Sequence, residues 1–505
     1  MQKILAVNFD TDSFQQVVLR ELGDHFDVKL WPYYGFKKDR VTPSDSLTPL
    51  TRIHLEAVRR IPEGPNLRSP IWPDDLRSAD SRAVELCCDR VFPDPLSRGE
   101  QIAYLSRLSE RLDEELEGIA PSCVLFPATP HVPWDLLAAL KLAKRGTPVF
   151  AIRATQITNR VIVSRVPFDF ISGSFEQRPD SLVIPAIDLE EVRGDSPRLE
   201  VAKSLNREAS LSSTRFIFAE PTRLAHSVLV STLRSFRGQV NRKAFGSDRK
   251  RGDARTQRDE HYWNFIKGRD FVRLRMKSVS HMYSMMREMA RASSNVEGEY
   301  VYFSLHYQPE QNTDPEASFY RFQSGAVAEL RRLLDEQGLQ NLRIVVKDHP
   351  RQFGGGGDVR SGNFRVQGFY EAIANLENVV VVGPAVDSAT LIDGAELVVT
   401  ANGSAAWEAI RARKPSLTLV STWHSDCHAS PSLSRLRESG RSIADLIDMS
   451  PEDIEASMTA FLQTEKIMIP GAFKGQHADL IKNPNLAKDM VRSLVPIIQN
   501  RLDNV

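Results

Sequence analysis

The 505-residue chain has few cysteines, no long apolar run and no excess of charge of either sign. Its four cysteines include no C-x-x-C pair, so the sequence indicates neither a zinc site nor a disulfide framework. No apolar run approaches the roughly 20 residues that a membrane-spanning helix needs. Lysine plus arginine equals aspartate plus glutamate at 65 each, so the composition does not favour nucleic-acid binding.

The amino-terminal stretch MQKILAVNFDTDS also lacks the features of a signal peptide. Its apolar run is only about five residues long, and acidic residues follow soon after it. We therefore interpret this stretch as a first β-strand and expect a reducing, cytoplasmic location.

What is present is the pattern of an α/β protein. The chain is too long for one hydrophobic core, and its 41% apolar and 26% charged residues are typical of a soluble globular protein. Short apolar runs alternate with helical spacing, which predicts parallel, doubly wound sheets. We expect two Rossmann-like domains, 1–195 and 297–475, that face a cleft. A helical, basic insertion at 196–296 separates them. The helix predicted at 476–505 could cross back to the first domain.

Three predicted strands of the second domain, at 300–305, 343–346 and 396–400, end abruptly in polar, turn-forming residues. The segments that follow them read HYQPE, KDHP and ANGS, and we call these the strand-end segments. In a doubly wound sheet, ligands bind outside the carboxyl ends of the strands. We therefore expect the three strand-end segments to converge on one crevice.

His349 is the candidate phosphate ligand of the second segment. Pro350 stops the strand and holds the preceding residue extended, so the imidazole should point into the crevice and donate to a phosphate. Lys347 and Arg351 flank it with positive charge, which strengthens such contacts. A structural histidine at a strand end is the alternative.

The third segment predicts an anion site at the start of a helix. Gly403 allows close approach of a ligand to the backbone, and Ser404 suits the N-cap position. Asn402 precedes them, and the first-turn N–H groups would face the anion. Glu408, one turn further on, is placed to accept hydrogen bonds from a ribose. The alternative is an ordinary capped helix with a solvated glutamate.

The first segment adds an amide, Gln308, and a carboxylate, Glu310, at the same sheet edge. Glu310 would orient a sugar hydroxyl, take part in proton transfer, or cap the segment that follows. In the first domain, Asp10 and His131 follow predicted strands and are the best-placed candidates for a catalytic base there.

Two other features have less specific interpretations. The glycine run at 354–357 lacks the Lys-Ser/Thr ending of a phosphate loop, so we interpret it as a surface loop. The stretch 242–277 is rich in arginine and lysine. It is either a solvated helical excursion or a contact with an anionic surface, such as lipid headgroups at the inner membrane or an acidic glycan.

The strings YFSLHYQPE, VKDHP and TANGSAAWEA together resemble the capsule polysaccharide biosynthesis glycosyltransferases, a family that includes bacterial Kdo transferases. The string PATPHVPWDLLAALKLAKRGTPVF resembles the amino-terminal domain of the same family. The resemblance covers most of 120–175 and 297–425. It implies the two-domain GT-B fold and a donor site that binds a CMP-activated sugar without a metal or other cofactor.

Carried over by position, the resemblance places Gln308, Pro309 and Glu310, with His349 and Pro350, at the donor site. The later family motif is usually Gly-Thr before a helix that carries a glutamate. It corresponds here to the glycine and serine at 403–404 and the glutamate at 408, where serine keeps the hydroxyl.

These observations predict a metal-independent glycosyltransferase that moves an acidic sugar, Kdo or a related nonulosonic acid, from CMP to a surface polysaccharide or lipid-linked acceptor. One alternative is a CDP-polyol phosphotransferase of cell-surface polymer synthesis. Another is a non-catalytic glycan-binding or export scaffold. Nucleic acid is not an expected partner.

Overall fold

The computed structural model describes most of the chain. The described residues are 1–9, 13–32, 47–48, 50–59, 84, 87–88, 91–92, 96–157, 159–166, 280, 284–285, 287–289, 296–353, 364–384, 386–464, 468–472 and 484–503. Asp10, the glycine run at 354–357 and the basic stretch 242–277 lie outside these residues, as does most of the predicted insertion.

The described elements alternate between strands and helices in both halves of the chain. Those of the first half are β1 (Lys3–Val7), α1 (Ser13–Gly23), β2 (Asp27–Trp31), α2 (Leu50–Arg59), α3 (Arg98–Leu116), β3 (Cys123–Phe126), α4 (Pro133–Lys144), β4 (Val149–Ala154) and β5 (Arg160–Val166). Those that follow are β6 (Tyr300–Ser304), α5 (Gln323–Glu336), β7 (Arg343–Lys347), α6 (Phe369–Ala374), β8 (Val379–Val382), α7 (Ser388–Asp393), β9 (Leu397–Thr400), α8 (Ser404–Arg411), β10 (Ser416–Thr418), α9 (Leu433–Glu438), α10 (Ile443–Ile447), α11 (Pro451–Thr464), β11 (Met468–Pro470) and α12 (Pro484–Asp503).

The first sheet has the strand order β11-β5-β4-β3-β1-β2. Its central strands are parallel, whereas β5 runs antiparallel to β4 and β11 runs antiparallel to β5. Successive side chains of a strand point to opposite faces. Thus Leu5 and Val7 pack with helices α2, α3 and α4, while Ile4 and Ala6 pack with α1 and α12.

The second sheet is wholly parallel, with the order β10-β9-β6-β7-β8. One face, which includes Val301 and Phe303, packs against α5, α6 and α9. The other face, which includes Tyr300 and Tyr302, packs against α7 and α8. Because apolar helices cover both faces, the strands read as continuous apolar runs. The predicted α/β fold class, with two Rossmann-like sheet domains, is confirmed.

The chain returns to the first sheet earlier than the predicted domain boundary at 475. Met468–Pro470 already pairs with β5. Helix α12 then packs beside α1 in the core of the first domain, through residues such as Met490 and Leu494. A three-residue strand is too short to show a period in the sequence, which is why the return was placed later.

Local signals placed the element ends to within a few residues. Pro133 opens α4, and Gly146, with a φ of 79°, lies just after it, as expected. The strand predicted at 396–400 begins at Leu397. The next strand along the chain lies at Ser416–Thr418. In the part of the chain that the structure describes, no helix is long and apolar enough to cross a bilayer.

Candidate functional site

The carboxyl ends of β9, β6 and β7 lie side by side in the second sheet. Ser304 on β6 is in register with both Lys347 on β7 and Thr400 on β9, so the three strand-end segments leave the sheet at one level. The backbone N–H of Asn402 donates to Nε2 of His306 at 3.2 Å, which joins the first segment to the third. The structure thus brings the three segments together at one edge.

Arg365 joins the first segment to the second from inside the protein. Its guanidinium, which is fully buried, donates to Asp348 Oδ2 at 2.7 Å, to Gln308 Oε1 at 2.7 Å and to the carbonyl oxygen of His306 at 2.8 Å. Burial opposes the charge of Arg365, but the adjacent Asp348 carboxylate raises its pKa above the ordinary value. Tyr370 adds a further hydrogen bond to Asp348 at 2.6 Å. The arginine is therefore a charge-compensated cation that connects the buried residues beneath the site, which we call the floor.

Gln308, a predicted donor ligand, is part of this floor rather than of an open surface. Its Oε1 atom accepts from Arg365 and from Gln323 Nε2, each at 2.7 Å, and its Nε2 atom donates to the carbonyl oxygen of Arg321 at 3.1 Å. The side chain is 1% exposed. Because these bonds engage both ends of the amide, Gln308 anchors the segment and does not face a ligand.

His306 ties the first segment to the start of α8. Thr400 Oγ1 lies 3.0 Å from its Nε2 atom, and Asn312 Nδ2 lies 3.0 Å from its Nδ1 atom. Burial, with help from the positive charge of neighbouring residues, lowers the pKa of His306 to about 3, so the ring is neutral. A Cβ atom on Gly403 would lie 2.7 Å from Cε1 of this ring, which explains the glycine.

His349 is half-buried and presents a neutral imidazole. Its Nδ1 atom accepts from the backbone N–H of Arg351 at 3.1 Å. Burial, chiefly, lowers the pKa of His349 to about 4. The remaining proton is therefore on Nε2, which makes this atom a hydrogen-bond donor. His349 is therefore a neutral hydrogen-bond donor, and its contact with a phosphate stays a prediction.

Arg351 and Glu310 form the charged, open side of the site. Arg351 Nη1 lies 3.8 Å from Glu310 Oε1, and the two side chains are 54% and 39% exposed. An ion pair this long and this accessible is weak. Both groups are therefore able to exchange this contact for one with a ligand.

Lys347 does not flank His349 at the open side as expected. It is 2% exposed, and its Nζ atom donates to Ser388 Oγ at 2.8 Å on the side of the sheet that packs against α7. Burial lowers the pKa of Lys347 to about 8, although the carboxylates of Asp348, Asp387 and Glu408 oppose the shift. Lys347 thus contributes buried positive charge near Glu408.

The residue that caps the start of α8 differs from the one predicted. Gly403 is the N-cap residue, and Ser404 is the first helical residue, so the prediction that Ser404 caps the helix is wrong. The side chain of Ser404 instead donates to Glu408 Oε1 at 2.8 Å. Thr400 Oγ1 accepts from the N–H of Gly403 at 3.3 Å, so the strand-end threonine stabilises this turn.

The first sheet reaches the site through Arg153 at the end of β4. Its Nη2 atom lies 2.8 Å from Glu316 Oε2, and Glu316 also accepts from Asn402 Nδ2 at 3.4 Å. His131, a candidate base, is half-buried, and its Nδ1 atom lies 2.6 Å from the carbonyl oxygen of Thr129. A carbonyl can only accept, so Nδ1 of His131 carries a proton.

Sequence reasoning missed several residues that build this site. His306 lies two residues after the end of β6, in the segment HYQPE, and the argument that selects Gln308 and Glu310 applies to it as well. Asp348 likewise lies within the segment KDHP. Four other residues have no local signal, because their partners are distant in the chain; they are Arg153, Glu316, Arg365 and Tyr370. Among the described residues, no group of three or more histidine, cysteine, aspartate or glutamate side chains could hold a metal ion.

Comparisons with known proteins add distant likenesses only. No family model matches the chain, and a search of curated proteins finds no significant match. Among solved structures, the chain is similar to the β-Kdo 2,7 transferase KpsC of Thermosulfurimonas dismutans, at 8% identity and a TM-score of 0.31 over 98% of this chain and 99% of that one.

Two further solved structures have lower scores. A UDP-GlcNAc 2-epimerase of Methanocaldococcus jannaschii, in complex with UDP-GlcNAc and UDP, has 12% identity and a TM-score of 0.24 over 98% of this chain and 99% of that one. The wall teichoic acid polymerase TagF has 9% identity and a TM-score of 0.20 over 100% of this chain and 89% of that one. Scores this low do not establish a relationship, and the fold assignment above follows from the strand order alone.

Proposed function

We propose that this protein is a glycosyltransferase of the GT-B type that moves an acidic sugar from a CMP-activated donor to a surface polysaccharide or a lipid-linked acceptor. Kdo or a related nonulosonic acid is the proposed sugar, on the resemblance of the strand-end segments. The observation that carries the proposal is the joining of three adjacent strand ends into one hydrogen-bonded rim. That rim has Arg351, His349 and Glu310 on its open side.

The donor phosphate would lie between this open side and the first turn of α8. Arg351 supplies an exposed positive charge, and His349 supplies a neutral N–H from Nε2. The N–H groups at the start of α8, after Gly403, add the positive end of the helix dipole. These hydrogen-bond donors suit the one phosphate group of a CMP-activated sugar.

The nucleoside would lie toward Glu408 and Ser404. The Ser404 hydroxyl holds Glu408 Oε1 and so orients the carboxylate, which suits a ribose diol. Lys347 lies close enough to Glu408 for the two side chains to interact electrostatically. Asn402 lies directly before Gly403 and Ser404 in the chain.

In the transfer step, an acceptor hydroxyl oxygen would bond to the anomeric carbon while the bond from that carbon to the CMP oxygen breaks. The electron pair leaves with CMP, whose negative charge Arg351 and His349 would stabilise. The hydroxyl proton would pass to a base. Glu310 and Nε2 of His131 are candidates for this base within the described residues, and Asp10 is the candidate outside them.

A thermal-shift comparison of nucleotides tests the proposal. A ligand at 100 times its dissociation constant stabilises the folded state by about 2.7 kcal/mol, which shifts the melting temperature measurably. We expect CMP to stabilise the protein more than UDP or CDP at equal concentration. Stabilisation by CDP alone would favour the polyol phosphotransferase, and no stabilisation by any of the three would favour the non-catalytic scaffold.

The partners follow from the same proposal. The first domain would bring the glycan or glycolipid acceptor to the crevice, at the side from which Arg153 reaches Glu316. Peripheral contact with the inner membrane through 242–277 remains a proposal on the basic composition of that stretch. We propose no metal and no other cofactor, with the CMP-sugar as the donor substrate.

A further inference from the structure

The carboxyl end of β4 and the residues just after it contact the second domain at three points. Arg153 forms an ion pair with Glu316 at 2.8 Å. Three residues further on, Gln156 accepts a hydrogen bond from the indole N–H of Trp423. Ile157 then enters an apolar cluster with residues of the second domain that include Trp407. The first domain therefore reaches the rim of the crevice from a well-anchored segment.

Glu316 is the group through which this contact acts. It is 4% exposed, and its two oxygens accept from Arg153 Nη2 at 2.8 Å, Gln311 Nε2 at 2.8 Å and Asn402 Nδ2 at 3.4 Å. A buried carboxylate is unfavourable unless a cation and hydrogen bonds compensate it. The cation comes from the first sheet, whereas both amide donors belong to the second domain.

Asn402 links this carboxylate to the start of α8. Its side chain donates to Glu316 and its backbone N–H donates to Nε2 of His306. Gly403, which follows directly, is the N-cap of α8. A displacement of Glu316 would therefore move the turn that leads into the first turn of α8.

We infer that Arg153 is a positioning residue of the crevice. Acting through Glu316, it holds residues 311–316 and the start of α8 in place, so the geometry of the site in the second domain depends on a side chain of the first. The ion pair of Arg153 is with Glu316. Its role is to keep the Glu316 carboxylate where Asn402 and Gln311 need it.

Hydrogen–deuterium exchange of the ligand-free protein tests this inference without reference to any substrate. In Arg153→Ala, we expect amides of 311–316 and 400–406 to exchange about tenfold faster or more, because hydrogen bonds to charged groups are the stronger ones. Arg153→Lys should restore part of the protection, since it keeps the charge. Unchanged exchange in Arg153→Ala would overturn the inference.

The matched control is Arg145→Ala. Arg145 lies just after the carboxyl end of α4 and pairs with Asp113 at 3.3 Å within the first domain, so Arg145→Ala removes a more exposed ion pair away from the crevice. It should leave exchange in 311–316 and 400–406 as in the unmodified protein. Equal acceleration in both variants would mean general loosening, which contradicts a positioning role.

If Arg153→Ala lowers the stability of the whole fold, the double variant Arg153→Ala with Glu316→Gln separates the two effects. The double variant removes the buried charge of Glu316 together with the cation of Arg153, so no unpaired charge is left. We expect global stability to recover while exchange stays fast in 311–316 and 400–406. Recovery of protection at those amides would overturn the inference.

A second measurement rests on the proposed function. CMP should bind Arg153→Ala about tenfold more weakly than Arg145→Ala, because a shift at the start of α8 would misplace the N–H groups that contact the phosphate. Equal CMP affinity in the two variants would overturn the positioning role. If no variant binds CMP but exchange responds as expected, the proposed donor is wrong and the positioning role of Arg153 stands.

Discussion

The Nε atom of Arg365 lies 2.7 Å from Oδ2 of Asp348, and neither side chain is exposed to solvent. This pair stands below the crevice, between the strand-end segments of β6 and β7. Because Arg365 also donates to Gln308 and to the carbonyl oxygen of His306, one buried cation connects both segments. The open side of the site is thus built on a rigid, charged floor.

The first prediction concerns this floor. Arg365→Met leaves Asp348 buried without its cation and should lower the free energy of unfolding by about 3–5 kcal/mol. Arg413→Met is the control, because it removes a pair with Glu455 in which the arginine side chain is 56% exposed. Exposed pairs contribute about 0–1 kcal/mol. Urea denaturation measures both, and a loss in Arg365→Met no larger than in the control would contradict the assignment.

The second prediction concerns the pH dependence of stability. Burial lowers the pKa of His424 to about 3, and it is the main cause of the lowered pKa values of His306 and His349 as well. The unfolded chain binds protons at these groups below about pH 6.5, whereas the folded protein does not until much lower pH. The contribution of these histidines to the free energy of unfolding is therefore fully present above the ordinary histidine pKa, and it is lost as the pH falls below that value.

Each such group should contribute a slope of about 1.4 kcal/mol per pH unit below that ordinary pKa. His424→Asn removes the titrating ring while keeping a polar group that can hydrogen-bond to the hydroxyl of Ser430. We expect it to flatten the slope of unfolding free energy against pH by about that amount. His428→Asn, at an exposed histidine, is the control. The same slope in both variants would refute the neutral, buried state of His424.

The third prediction concerns His349. His349→Ala should lower the rate of transfer by about two to three orders of magnitude, as for removal of one donor to a developing negative charge. His349→Gln, which keeps an N–H donor, should retain more activity. Because the pKa of His349 is about 4, its titration should produce no inflection near neutral pH in the rate profile of the unmodified protein.

The control for His349 is His428→Ala, which changes an exposed histidine of the same domain. The melting temperature of His349→Ala should stay near that of the unmodified protein, since the residue is only half-buried. Unfolding of His349→Ala at ordinary temperature would show that the imidazole is a core group and not a donor to the ligand.

The fourth prediction concerns Gly403. The methyl group of Gly403→Ala would lie 2.7 Å from His306 Cε1 and 2.8 Å from Thr400 Oγ1, so the turn into α8 must shift. We expect a loss of about 1–3 kcal/mol in stability and weaker binding of CMP. Gly383→Ala is the matched control, because a Cβ there meets no atom within 4 Å. Equal CMP affinity in both variants would argue against a ligand at this turn.

Much of the fold was predictable because its signals are local. The apolar runs at β6, β7 and β9 and the polar residues just after them are visible within short windows. A parallel sheet then brings neighbouring strand ends together, which is how separated segments could be predicted to meet. The return of β11 to the first sheet had no such signal, because a three-residue strand carries no period of its own.

The sequence by itself determined the alternation of strands and helices, the polar strand ends and the glycine before α8. Only the tertiary structure decided which polar groups are structural and which are open to a ligand. Gln308 and Lys347 turn inward, Arg351 and Glu310 stay accessible, and Arg153 arrives from the other domain. The physical reason is that burial and charge compensation depend on partners far away in the chain, whereas strand period, turns and caps depend on near neighbours.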